Sequence, residues 1–241
     1  MALESYSCFV KQTFQALFII SKGFGLVTLL ILSSCSGYRI KNTGNPFESY
    51  KIRTLTVPMF VNHSTVAKAS VPFTKEFVRL LSRYPNLKVY SGEDTAGMDA
   101  ILIGIVTSKK YLHQTFVTKN EKFTEGKLKN SIGDRREFFV PTATGYEVSL
   151  RVVLIKNPRK AEVELAKSEL AAYLQSNPSK IIFNHVMDVT GSFNREAGDT
   201  VNPDSPGTVN FSKNKGNFES SLSSTAKSAA TQFKETVLDV F

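Results

Sequence analysis

The feature that most constrains this chain is Leu32-Ser33-Ser34-Cys35, at the end of the apolar run 23–32. Leu, two small residues and then Cys form the pattern of a bacterial lipobox. The run before it is about ten residues long, which suits a signal h-region and falls short of the roughly 20 needed to cross a bilayer. Lys22 stands just before it, as an n-region cation should. This reading predicts that residues 1–34 are a removed signal peptide and that Cys35 is lipidated. The mature chain would then consist of a tether over 35–50 and a single domain over 51–241. A second apolar run, 14–20, precedes Lys22. An uncleaved anchor over 14–32 and a translation start further downstream are therefore open alternatives.

Composition supports an exported, folded body. The chain has 241 residues, a net charge of +9 and 41% hydrophobic content. Without the signal, roughly 200 residues remain, enough for one domain with a buried core. The first 34 residues carry only Glu4, Lys11 and Lys22, so nearly all the positive charge stays in the mature part. A basic exported domain favours anionic partners, with plain solubility as the ordinary alternative. Of the two cysteines, Cys8 lies in the signal, which leaves Cys35 alone and no internal disulfide. Several buried acyl chains make a stable anchor where one chain does not. Ser36 stands where many enteric-type bacteria place an Asp for inner-membrane retention, so the anchor is expected in the outer membrane.

Along the mature chain, 36–50 reads as an extended tether rich in Gly, Asn and Pro. Residues 52–60 alternate as a strand, halted by Pro58, and 62–65 read as a polar turn. Phe73, Phe77, Leu80 and Leu81 give a helical stripe over 71–83, with Ser70 as cap and Pro72 in the first turn. A short strand is expected over 87–90. Residues 100–107 are almost continuously apolar, which predicts a central strand covered on both faces or adjoining another subunit. Residues 108–144 read as a long hairpin, and 146–154 as an alternating strand. A helix is expected over 159–174, a strand with a bulge near His185 over 181–193, a loop over 195–216, and a helix over 218–240. The order predicts an α+β two-layer sandwich, a mixed, mostly antiparallel sheet with two main helices on one face.

No catalytic constellation is visible. His63, His113 and His185 lack metal-ligand spacing. There is no nucleophile elbow, phosphate-binding glycine loop or dinucleotide fingerprint. Neither enzymatic activity nor a cofactor or metal is expected. The functional candidate is the basic and aromatic stretch 109–139. Lys109, Lys110, Arg135 and Arg136 are its paired cations, with Tyr111, Phe116, Phe123, Phe138 and Phe139 between them. Such cations suit phosphate groups. The plain alternative is a solvated hairpin. Export disfavours nucleic acid as the ligand.

Three stretches together resemble the lipopolysaccharide-assembly lipoprotein family, LptE. Cys35-Ser36-Gly37-Tyr38-Arg39-Ile40 is similar to that family's Cys-Gly-Tyr start. Residues 52–65 are similar to its first strand and turn, Val-Pro-x-Phe-x-Asn-x-Thr, with the last step shifted by one. Asp99-Ala100-Ile101-Leu102-Ile103-Gly104-Ile105 is similar to its Ala-Asp-x-x-Leu-x-Gly-x-Ile strand, with acidic and small residues exchanged. Residues 159–174 look like an insertion, and 108–144 are long for the family. The resemblance implies a non-enzymatic role. Such proteins plug the outer-membrane barrel LptD, bind lipopolysaccharide and help deliver it to the outer leaflet. The competing expectation is a scaffold lipoprotein of another outer-membrane assembly, such as a secretion channel, built as a homo-oligomeric ring.

Overall fold

The computed structural model describes residues 44–108, 115–123, 139–196 and 211–240, the side chains of 121–123 and 139–140 excepted. Cys35, Lys109, Lys110, Arg135 and Arg136 lie outside the described residues.

Seven strands form one sheet, joined along the order β3-β1-β4-β6-β5, with β2 also on β4 and β7 also on β6. They are β1 (Thr54–Val57), β2 (Val61–His63), β3 (Lys88–Ser91), β4 (Ala100–Ser108), β5 (Phe116–Phe123), β6 (Phe139–Lys156) and β7 (Ile181–Asn194). β1 runs parallel to β3 and β4, and β2 parallel to β4. β6 is antiparallel to β4, β5 and β7, and these ladders supply most of the residue pairs. Two lines are broken strands. β1 and β2 lie in succession along β4, and β4 and β5 lie in succession along β6. The break at 58–60 has two causes. Pro58 has no N–H to give to a ladder, and the Phe60 N–H donates instead to Thr74 Oγ1 at 2.9 Å. Phe60 can turn inward because Gly104 opposes it: a Cβ there would stand 2.3 Å from the Phe60 ring.

The two main helices, α1 (Ser70–Leu81) and α4 (Phe211–Phe233), cover one face of the sheet. The expected α+β architecture is thus the observed one. α1 buries Phe73, Phe77, Leu80 and Leu81 at helical spacing. Its N-cap is Ala69, and Ser70 is already helical; no side chain caps the start. α4 buries Leu222, Ala226, Ala229, Ala230 and Phe233, and small residues let it approach the strands closely. It begins inside the stretch expected as loop and runs on into a π-helical turn over Lys234–Leu238. An aromatic row ties these layers together. Phe60, Phe77, Phe233, Phe183 and Phe47 stand with successive ring centroids 5.2, 5.1, 5.6 and 6.2 Å apart.

The stretch expected as one helix over 159–174 is two: α2 (Lys160–Ser168) and α3 (Leu170–Ser176). Glu169, at φ −132° and ψ 59°, is not helical and breaks the run. The pair lies on the opposite face. Val163, Ala166 and Tyr173 pack there on Ile101, Ile103, Ile105, Val153 and Ile155. This is the double cover that the apolar run of β4 predicts. The bulge expected near His185 falls earlier: the β6–β7 register shifts between Leu154 and Ile155, which pair with Phe183 and Ile181.

Residues 44–50, read as the end of a tether, belong to the folded body. Phe47 is fully buried and Asn45 nearly so. Asn45 Nδ2 donates to the Ile52 carbonyl at 2.6 Å and, at 3.4 Å, to that of Asn86, and its Oδ1 accepts from the Phe47 N–H at 2.9 Å. A buried amide so fully engaged fixes where the chain enters the fold.

Candidate functional site

The four predicted cations lie outside the described residues, and only the strands that flank them in sequence are described. Ser108 pairs with Val148 and Phe116 with Tyr146, so β4 ends and β5 begins on either side of Glu147 of β6. Lys109 and Lys110 follow Ser108 in sequence. Arg135 and Arg136 lie in sequence between Phe123 and Phe139, the last pair of the β5–β6 ladder. Val148 and Phe139 are nine positions apart on β6, about 30 Å along a strand. Of the long hairpin expected over 108–144, the described part is the antiparallel pairing of Phe116–Phe123 with Phe139–Tyr146; 109–114 and 124–138 lie outside the described residues.

β6 is the spine of this region. Its 18 residues span roughly 60 Å. On one face Tyr146, Val148, Leu150, Val152 and Leu154 point at the main core. Tyr146 reaches across β7 because Gly191 has no side chain; a Cβ there would stand 2.3 Å from the tyrosine ring. The Tyr146 hydroxyl then hydrogen-bonds with Thr225 Oγ1 at 2.9 Å and Ser221 Oγ at 3.2 Å on α4. Ser221 Oγ in turn donates to the Ser192 carbonyl at 2.7 Å.

On the other face the same stretch is polar. By register, Thr107, Ser149, Glu147 and Arg151 share that face with Asp188 and Thr190 of β7. Lys119 of β5 is exposed there, its aliphatic stem lying over Gly145. A groove of about 260 Å³ runs between Thr115, Val117, Lys119, Gly145, Glu147 and Thr190. Thr115 is fully buried at its floor, and its hydroxyl has no partner among the described residues. Sequence reading missed this face, although the outward residues of 146–151 signalled it.

A second and larger cleft, about 530 Å³, opens where the chain enters the fold. Glu48, Arg53, Thr54, Asn86 and Lys88 line it. Behind it, Asp99 locks β1 to β4. Asp99 Oδ2 accepts from the Arg53 N–H, the Thr54 N–H and the Thr54 hydroxyl, each at 2.9 Å. The Arg53 N–H, foremost among these donors, holds the Asp99 carboxyl below its ordinary pKa against the opposing effect of burial. The acidic residue in the Asp99-Ala100-Ile101 motif is thus a strand clamp.

His113 lies outside the described residues, and the other two histidines stand apart. His63 is exposed on β2, and His185 packs against Phe233 with ring centroids 6.5 Å apart. Among the described residues, no three His, Cys, Asp or Glu side chains are grouped to hold a metal ion. No helix among them is long and apolar enough to cross a membrane.

No protein-family model matches the chain, and no curated protein matches it significantly. Solved structures similar to it include the PelC dodecamer from Paraburkholderia phytofirmans, 12% identical, covering 76% of this chain and 87% of that one, with a TM-score of 0.36. Protein CT253 from Chlamydia trachomatis is 12% identical over 77% of this chain and 95% of its own, with a TM-score of 0.35. Lipoprotein GNA1162 from Neisseria meningitidis is 12% identical over 57% and 81%, with a TM-score of 0.29. These scores are too low to establish a shared fold.

Proposed function

We propose that this chain is an outer-membrane lipoprotein that serves lipopolysaccharide transport and assembly without enzymatic chemistry. It is anchored through lipidated Cys35 on the periplasmic side, and acts as plug and partner of an LptD-like β-barrel. Lipopolysaccharide phosphates are held by cations along the hairpin, with Lys109, Lys110, Arg135 and Arg136 foremost. The observation that carries this reading is the β4–β5–β6 hairpin. Both basic stretches adjoin it in sequence, and beyond the cover of α2 and α3 its outer face carries Lys119, Glu147, Ser149 and Arg151. A barrel lumen is aqueous, and a body seated in it needs polar faces. Cations spaced along an extended hairpin suit a ligand with several phosphates.

Mild detergent extraction of the lipidated chain, followed by affinity purification and mass spectrometry, tests the reading. A stoichiometric large β-barrel is the expected partner. A homo-oligomeric ring with no barrel would overturn it in favour of a scaffold for another envelope assembly. Replacing the four named cations by Gln should weaken lipopolysaccharide binding by at least about tenfold; unchanged binding removes them from the site.

A further inference from the structure

The cleft at the entry to the fold has features that the transport reading does not use. Two cations, Arg53 and Lys88, share it with one carboxylate, Glu48. Among the described residues none of the three is in a salt bridge, although Asp99 behind the cleft also attracts Arg53. Thr54 is consumed by Asp99. The rims are built rather than incidental. Lys51 and Asn86 both hold left-handed backbone, at φ 60°. Asn adopts that conformation readily, but a Lys keeps it only where its surroundings favour it. Buried Asn45 supplies the enforcement by hydrogen-bonding the Ile52 and Asn86 carbonyls from between the two turns.

Chain length says where this cleft must stay. Gly44, the first described residue, is nine positions after Cys35. At no more than about 3.6 Å per residue, the join lies within about 32 Å of a lipidated Cys35. Glu48 is four residues further on. With Cys35 lipidated, the bilayer surface is within the cleft's reach.

Two cations beside one carboxylate fit a zwitterion that carries a phosphate and a primary ammonium. We infer that this cleft binds the phosphoethanolamine headgroup of a membrane phospholipid, Arg53 and Lys88 taking the phosphate and Glu48 the ammonium. The inference rests on the lipid anchor at Cys35. It gives the tethered domain a preferred stance on the membrane, with β3 and the β1 entry facing the lipid. A trimethylated choline headgroup has the same phosphate but no N–H to donate to Glu48, so it is the discriminating control.

The test uses the full lipidated chain in vesicles with a fluorophore on Ser49→Cys, an exposed position beside Glu48. The anchor occupies the thiol of Cys35, so the label is unique. Quenching by nitroxide-headgroup lipid reports approach of the cleft to the surface. It should be about threefold stronger in phosphatidylethanolamine vesicles than in phosphatidylcholine vesicles, the size of effect that partly exposed ion pairs supply. Glu48→Gln should erase the difference between the lipids, and Arg53→Gln with Lys88→Gln should reduce quenching in both. Equal quenching in the two lipids, or a difference that survives Glu48→Gln, overturns the proposal. Flotation of the chain with vesicles in 1 M salt, about the level at which surface charge is screened within 3 Å, reads the anchor separately. A chain that floats with an indifferent reporter leaves the anchor standing and sinks the cleft. A chain that does not float sinks the anchor reading and the cleft proposal together.

Discussion

On one face of the sheet, Phe60, Phe77, Phe233, Phe183 and Phe47 make a continuous aromatic row beneath two long helices. On the other, two short helices cover only the end of the sheet near Ile101, Ile103, Val153 and Ile155, and the remainder is polar except for the exposed Val117 and Val186. β6 records the boundary in its own residues. From Tyr146 to Arg151 it alternates, with Glu147, Ser149 and Arg151 turned away from the core. From Val152 to Ile155 every residue is buried. The change from period two to a continuous apolar run marks where the second helical layer begins. One face carries the larger core; the other leaves part of the sheet uncovered among the described residues.

The sharpest way to break that contrast is Phe77→Ala. Phe77 is fully buried between Phe60 and Phe233. Its loss should cost about 4 kcal/mol through lost burial and a residual cavity, read as a shift in the urea midpoint. Truncating Val117 to Ala on the polar face, where it is half exposed, should leave that midpoint almost unmoved. Equal losses would mean that the faces are not divided as described.

Gly104→Ala comes next. The new methyl group would stand 2.3 Å from two Phe60 ring carbons, inside a core where β4 is held on both sides. Overpacking of this kind should cost about 3 kcal/mol. Adding Phe60→Leu should recover part of the loss, and the absence of recovery would show that the contact with the ring is not the cause.

Much of this was legible in the chain. The stripe Phe73, Phe77, Leu80 and Leu81, the run 100–107 and the spacing of Leu222, Ala226, Ala229 and Phe233 each carry a single period, and each became the element it signals. The failures have physical causes. The break at Glu169 interrupts a stripe whose composition alone reads as helical. The tether ends early because Asn45 and Phe47 are satisfied by distant partners, Ile52, Asn86 and Phe183, that no local pattern reveals. The entry cleft joins residues 48, 53, 86 and 88 through β1–β3 pairing, so sequence proximity could not assemble it. The cations at 109, 110, 135 and 136 are conspicuous in sequence but lie outside the described residues.

Asp99→Asn tests the clamp shared by both faces. The carboxylate accepts three hydrogen bonds, and the neutral amide should cost about 2 kcal/mol. Because the folded carboxyl is held below its ordinary pKa, its contribution is complete above about pH 5. It is lost as the pH falls through the folded value. Between pH 5 and about pH 2 the parent should therefore lose more stability than Asp99→Asn does. Parallel pH profiles would show that the backbone N–H groups are not the cause of the shift.

The smallest effect has the opposite sign and belongs to the lightly covered face. Tyr173 is fully buried against Ile101, Ile103 and Val153, and its hydroxyl has no partner among the described residues. Burial, reinforced by the nearby Glu162 carboxylate, pushes its pKa up. A buried hydroxyl without a partner opposes folding, because it gives up water and gains nothing in return. Tyr173→Phe keeps the ring and its packing and removes that penalty. It should leave the urea midpoint unchanged or raise stability by up to about 1 kcal/mol. The contrast is with Tyr146, which is likewise buried on the other face but bonded to Thr225 and Ser221. There, Tyr146→Phe should lower stability by about 1 kcal/mol. If both variants lose stability alike, the Tyr173 hydroxyl has found a partner in solution and the second layer is better satisfied than its geometry indicates.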